Sequence, residues 1–159
     1  MGHKPLGRNK VAYSSSCLCG QIKFEFELDP MLQFQCHCST CFKVFGTSMS
    51  GLTMPEHEIN VDGEMSVFTI VGGSGNDMHY YFCSNCSTII YNKPELLGGM
   101  AYVLAGAFID QIDFRPTLEL WTGGRPDWIP KAPSIIESFD DNGTVERIQK
   151  LLENLDQRE

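Results

Sequence analysis

Cys36-His37-Cys38-Ser39-Thr40-Cys41 sets three thiols within six residues. In a reducing compartment, thiols spaced this closely are metal ligands rather than disulfide halves, and zinc is the default ion for clustered thiolates. Three protein ligands leave a fourth coordination position open to water or substrate, which is the arrangement of a catalytic rather than a closed structural site. His37, between two of the ligands, is a candidate acid or base because imidazole moves protons near neutral pH.

On either side of this stretch lie Cys17-Leu18-Cys19-Gly20 and Phe82-Cys83-Ser84-Asn85-Cys86. Two short knuckles far apart in the chain are a common way to build a closed tetrahedral zinc site, so Cys17, Cys19, Cys83 and Cys86 form the expected structural site and Cys36, Cys38 and Cys41 the functional one. Together the two sets use all seven cysteines, and two zinc ions per chain are expected.

The rest of the composition narrows the class. The 159 residues fit a single domain, and 12 Lys plus Arg against 20 Asp plus Glu give a net charge of -8, which disfavours nucleic acid and anionic membrane surfaces as partners. The N-terminus lacks the apolar run of a secretory signal, and no stretch reaches the roughly 18 apolar residues of a membrane helix. A cytoplasmic protein is expected, with residues 1–13 a disordered polar tail and 14–159 one zinc domain. Oligomeric state has no signature in the sequence.

Residues 21–28 alternate strictly, with Ile22, Phe24, Phe26 and Leu28 on one face and Lys23, Glu25 and Glu27 on the other, predicting a half-buried strand. Further short strands are expected at 48–53, 66–71, 78–82, 88–91, 101–108 and 118–121, each bounded by Gly, Pro, Asn or Asp. The fold class is therefore mainly β and mostly antiparallel. Helical spacing is read only near the C-terminus, where Val145, Ile148, Leu151, Leu152 and Leu155 share a stripe. The Gly-rich run 72–77 lacks the ending of a phosphate-binding loop. It reads as a hairpin loop, or as a loop at an active-site mouth that presents Ser74 and Asn76. Arg125 is expected to pair with an acid such as Asp110 or with a substrate carboxylate.

The motifs Ser16-Cys17-Leu18-Cys19-Gly20, Cys36 to Cys41 with Gly46, Phe82 to Cys86, Gly106 to Asp110, and Leu120-Trp121 with Arg125-Pro126-Asp127-Trp128 are similar, in order and spacing, to the glutathione-dependent formaldehyde-activating (GFA) family. That family also includes centromere-protein-V-like members. The resemblance implies a tent-like antiparallel β-sheet domain with two zinc sites on the positions already named. It implies a carbon-sulfur lyase that adds glutathione to formaldehyde, or removes it, at the three-cysteine zinc.

The chain departs from the family pattern where basic residues usually stand. Phe42 follows the third cysteine, with Lys43 one place later, and Tyr80-Tyr81 precede the Phe-Cys motif. Glutathione carries two carboxylates, so fewer cationic partners weaken its recognition. These departures point to a larger apolar or aromatic substrate met by some of Phe42, Phe45, Gly46, Tyr80, Tyr81, Trp121 and Trp128. Ser87 stands where the family has a glycine that takes a positive φ, and modest local strain is expected there. Three functions follow: a GFA-type lyase acting on a small carbonyl compound, a pathway-specific lyase, dehydratase or hydrolase, and a non-catalytic zinc-stabilised binding domain.

Overall fold

The computed structural model describes residues 12–141. In chain order the elements are β1 (Tyr13–Ser16), β2 (Lys23–Phe26), β3 (Leu32–Cys36), α1 (Ser39–Phe45), β4 (Met49–Pro55), β5 (Asn60–Asp62) and β6 (Met65–Val71). They continue with β7 (Asp77–Cys83), β8 (Ile89–Pro94), β9 (Met100–Leu104), β10 (Leu118–Leu120) and β11 (Glu137–Ser138). A three-stranded sheet has the order β1-β2-β5, and an eight-stranded sheet the order β11-β10-β3-β4-β9-β8-β7-β6. The protein is mainly β, as its alternation predicts. Among the described residues no helix is long and apolar enough to cross a membrane.

The alternation across 21–28 orients β2 as expected. Ile22, Phe24 and Phe26 are buried, Lys23, Glu25 and Glu27 are exposed, and Leu28 is half-buried at the strand's end. Tyr13 does not belong to a tail: it opens β1, pairs with Phe26 across the hairpin and is buried against it. The stripe Val145 to Leu155 lies outside the described residues. The expected strand at 101–108 is shorter, because β9 ends at Leu104 and a 3-10 turn over Ala105–Phe108 drops Phe108 onto Phe24 and Phe26. Pairing is antiparallel except around β10, which runs parallel to both β3 and β11.

Strands near the middle of the large sheet are apolar on both faces, and this positions everything that follows. Along β4, Leu52 and Met54 point into one core with the β2 aromatics, while Met49 points into a second. Along β9, Ala101 and Val103 join the first core, and Met100, Tyr102 and Leu104 pack on the second. A period of two divides such a strand between its faces. The first core lies under the small sheet and contains Cys17 and Cys83; the second contains Cys36 and Cys41.

The helix α1 is absent from the sequence expectations. Its seven residues make under two turns, too few for a periodic stripe, and its N-cap is Cys38, whose Sγ accepts from the Cys41 N–H at 3.3 Å. Gly46 ends it in the left-handed region at φ +74, donating its N–H to Phe42 O at 2.9 Å.

Candidate functional site

Four cysteines converge from two turns. Cys17 and Cys19 lie between β1 and β2, and Cys83 and Cys86 lie at the β7 end of the turn to β8. Sγ atoms are 3.6 Å apart for Cys17 and Cys19 and 3.8 Å for Cys19 and Cys83, and all four lie within 4.8 Å of one another. Ligands bonded at about 2.3 Å to a tetrahedral ion are separated by roughly 3.8 Å, so spacing and donor set both fit a thiophilic metal. Thr88 ties the two turns together. Its hydroxyl accepts from the Leu18 N–H at 3.1 Å and lies 3.2 Å from Cys86 Sγ. That side-chain bond, then the Thr88 backbone N–H, holds the Cys86 thiol down to about 5.

Ser87 closes this turn with φ +64 and donates its N–H to Cys83 O at 2.8 Å. A side chain is strained in that region, as the sequence suggested. Ser87→Gly is expected to raise stability by up to about 1 kcal/mol. The check is a higher urea midpoint at unchanged metal content; a lower midpoint would show that the serine hydroxyl itself holds the turn.

The three-cysteine cluster forms where β3 runs into α1. Cys36 ends the strand, Cys38 caps the helix and Cys41 lies in its first turn, with Cys38 and Cys41 Sγ atoms 3.1 Å apart. Thiols this close do not all ionise alone. Cys36 and Cys41, and then the N–H groups of Cys41 and Thr40, pull the Cys38 thiol down to about 3, while Cys38 pushes Cys36 up to about 12. One negative charge serves the cluster, and a divalent cation is what would let more of the thiols ionise. The donor set fits a thiophilic metal with three protein ligands.

His37 points away from this cluster. It is 0% exposed, with Nδ1 2.7 Å from Ser48 Oγ and Nε2 3.0 Å from Glu119 Oε2. Burial lowers its pKa first, and the Glu119 carboxylate only partly offsets this, so the ring is neutral at physiological pH. Glu119, 1% exposed on β10, also accepts from Ser138 Oγ at 2.8 Å and lies 3.5 Å from Arg125 Nε. Arg125 therefore pairs with Glu119 rather than Asp110, which is exposed. The backbone reinforces the link: His37 N–H donates to Leu120 O at 3.0 Å, and a Cβ on Gly124 would stand 2.1 Å from His37 O. Only glycine permits that approach.

Cys36, Cys38 and Cys41 form part of the wall of a cavity of about 100 Å³. Opposite them Tyr80, Asn92 and Tyr102 stand in a row, being direct cross-strand partners on β7, β8 and β9. Met49, Met78 and Leu97 add apolar wall, and Gly73 and Ser74 close one side beneath Trp121. Trp121 adopts φ +55, and its indole lies so close over Gly73 that a Cβ there would meet the ring at 3.0 Å. Among the described residues no Lys, Arg, His, Asp or Glu lines the cavity.

A family model described as glutathione-dependent formaldehyde-activating enzyme matches residues 12–124, which include both cysteine clusters. The chain belongs to the GFA family. Among curated proteins none matches it. A solved protein from Rhodobacter sphaeroides shares 17% identity, covering 63% of this chain and 90% of that one, with a TM-score of 0.48. GFA membership suggests a GFA-like function, and the cysteines carrying the family motif are the ones that cluster.

The residues proposed to meet substrate divide. Ser74, Tyr80 and Trp121 line the cavity, and Tyr81 does not. Phe42, Phe45, Gly46, Asn76 and Trp128 are not in its wall: Phe42 packs edge-on against Trp128 at 6.3 Å, Phe45 lies behind Tyr80 at 6.1 Å, and Gly46 caps α1. Asn76 donates its N–H to Ser74 Oγ at 3.2 Å within the loop, and Trp128 is 70% exposed. His57 is exposed in a 3-10 turn. Sequence reading missed Met49, Asn92 and Tyr102. The one signal available was Asn92 itself, a polar amide at the end of the apolar run Ile89-Ile90-Tyr91.

Proposed function

We propose that the protein is a zinc-dependent carbon-sulfur lyase of the GFA type, adding a thiol to a small carbonyl compound or removing it, with Cys36, Cys38 and Cys41 holding the metal. The observation that carries this reading is that the three-cysteine cluster opens onto a cavity, whereas the four-cysteine cluster lines none of the cavities described. Zinc at this position supplies Lewis acidity and stabilises a thiolate.

In the forward direction a carbon-sulfur bond forms as the carbonyl π bond breaks, and the thiol proton ends on the former carbonyl oxygen. The chain's own residues set the conditions for that exchange. The apolar walls exclude water and strengthen each polar contact inside. Burial raises the pKa values of Tyr80 and Tyr102, and nearby cysteine charge raises them further, so both phenols keep their protons as donors toward oxygen. His37 acts at one remove, by fixing the backbone between two ligands.

A second reading, a pathway-specific enzyme acting on an apolar or aromatic metabolite, is favoured by the lack of any Lys, Arg or His in the cavity wall among the described residues. Glutathione would bring two carboxylates to a site without a cationic partner for either.

The test is Cys38→Ser. Metal content should fall from two ions per chain to one while the thermal transition stays cooperative. Thiol-dependent aldehyde consumption should fall by more than the roughly 10–100-fold that losing a ligand's hydrogen-bond partner costs. Two retained metals with full turnover would sink the proposal.

A further inference from the structure

We propose that Asn92 is the residue that selects the substrate, and that the substrate is an uncharged compound presenting a hydrogen-bond donor, a hydroxyl or amide N–H, to Asn92 Oδ1. The inference rests on the three-cysteine cluster being the reacting centre and adds to it a ligand class and a residue that reads it.

Asn92 lies on β8 with both cross-strand neighbours, Tyr80 and Tyr102, facing the same cavity. It is 1% exposed. Its Nδ2 reaches only two thioether sulfurs, Met78 Sδ at 3.6 Å and Met49 Sδ at 3.8 Å, and its Oδ1 has no partner. Thioether sulfur accepts weakly and cannot donate, so the amine end belongs against the methionines and the carbonyl oxygen is the atom left over. A buried amide held this way is unfavourable for folding alone, since an apolar side chain of the same size would fill the place without leaving an acceptor bare. Such a group needs a partner, and the cavity that Asn92 lines is where we place it.

The rest of the wall sets the charge of that partner. Beyond the cysteine cluster itself, mostly thioether, aromatic and aliphatic groups line the space around the amide, with no Lys, Arg or His to neutralise a carboxylate or phosphate and no Asp or Glu to pair an ammonium. Moving an unpaired charge into such surroundings is costly. A hydroxyl or amide N–H at the same place loses little, because Oδ1 replaces the water it gives up.

The experiment measures binding by calorimetry with matched thiols: mercaptoethanol against propanethiol and mercaptopropanol against butanethiol, which exchange a hydroxyl for a methyl group. Mercaptopropionate serves as the charged member. In Asn92→Leu the affinity ratio of hydroxythiol to alkanethiol should fall about tenfold or more, since a site built to bond a hydroxyl discriminates strongly against its absence. The melting temperature should rise and metal content stay at the wild-type value. An unchanged ratio would overturn the proposal, as would failure of the wild type to bind any of the thiols, or tighter wild-type binding of mercaptopropionate than of mercaptoethanol. Cys38→Ser separates this from the lyase reading: if it binds the thiols as the wild type does, the three-cysteine centre is not where they react, while the ratio in Asn92→Leu still decides the role of Asn92.

Discussion

Glu119→Ala is expected to destabilise the protein by about 3–5 kcal/mol, because its buried carboxylate accepts hydrogen bonds from His37 and Ser138, each bond to a charged group being worth about 1.5–3 kcal/mol. The carboxylate is nearly inaccessible and serves His37, Ser138 and Arg125 together. Truncation would leave the buried His37 ring nitrogen without its acceptor and take the carboxylate from the partly exposed Arg125, which keeps a bond to Ile129 O. Glu119→Gln keeps an acceptor and the shape, so its loss should be smaller. Because His37 lies between Cys36 and Cys38, the damage should also reach the metal, weakening affinity at the three-cysteine centre roughly 10–100-fold. Urea denaturation and chelator competition measure the two effects; a stable variant with normal metal affinity would show that β10 is held by its backbone alone.

The same network fixes the direction of the pH response. Burial pushes the Glu119 carboxyl up, but Ser138, His37 and Arg125 outweigh it and the folded value lies below the ordinary one. Its contribution is complete above the unfolded value of about 4.3 and is lost as pH falls through the folded value. His37 is also depressed, so below about pH 6.5 the unfolded chain takes up a proton that the folded chain refuses. Both terms lower wild-type stability on acidification, the histidine first, and the carboxylate's share should be missing from Glu119→Ala.

Cys83→Ser is the second large effect, and it should separate the roles of the two cysteine clusters. Cys83 ends β7, fully buried, and meets Cys19 from 64 positions earlier in the chain. If a metal joins these turns, removing one thiolate releases a tie between the small sheet and the large one. A structural zinc contributes about 10–16 kcal/mol in isolated finger peptides, comparable to the whole stability of an ordinary domain. A loss of at least about 5 kcal/mol is therefore expected, which at roughly 2–4 °C per kcal/mol lowers Tm by more than about 10 °C. Cys38→Ser should not do this. Equal losses of Tm in the two variants would assign both centres to folding and remove the reason to treat one as reactive.

What could be read in advance follows from where the information is stored. The cysteine sets are legible because thiol chemistry and short spacing within each knuckle declare them before any fold is known. Strand β2 is legible because one face is wet, so its pattern has period two. Strands β4 and β9 carry apolar residues on both faces, and their sequences do not say which side chain meets which core. In β3, Leu32, Phe34 and Cys36 alternate correctly, yet the run follows Pro30 closely and ends in the metal motif, which masks it as a lead-in.

The cavity was the least legible part. Its row of Tyr80, Asn92 and Tyr102 comes from three strands, and the register shift between Tyr81 and Phe82 alters how β7 and β8 pair. Parity in one strand says nothing of parity in the next until the pairing is known. The aromatics beside the third cysteine looked well placed by proximity in sequence, but α1 turns Thr40 and Cys41 toward the cavity and packs Phe42 elsewhere.

Because β4 and β9 divide their side chains between two cores, the knuckles that fasten the molecule and the chamber where a ligand would rest share backbone but few side-chain contacts. Exchanges at Met49, Asn92 or Tyr102 would remodel the chamber from one side of the sheet while the fastening on the other side keeps its packing. A lineage built on this plan is free to change its chemical diet by a few replacements, with the architecture inherited intact.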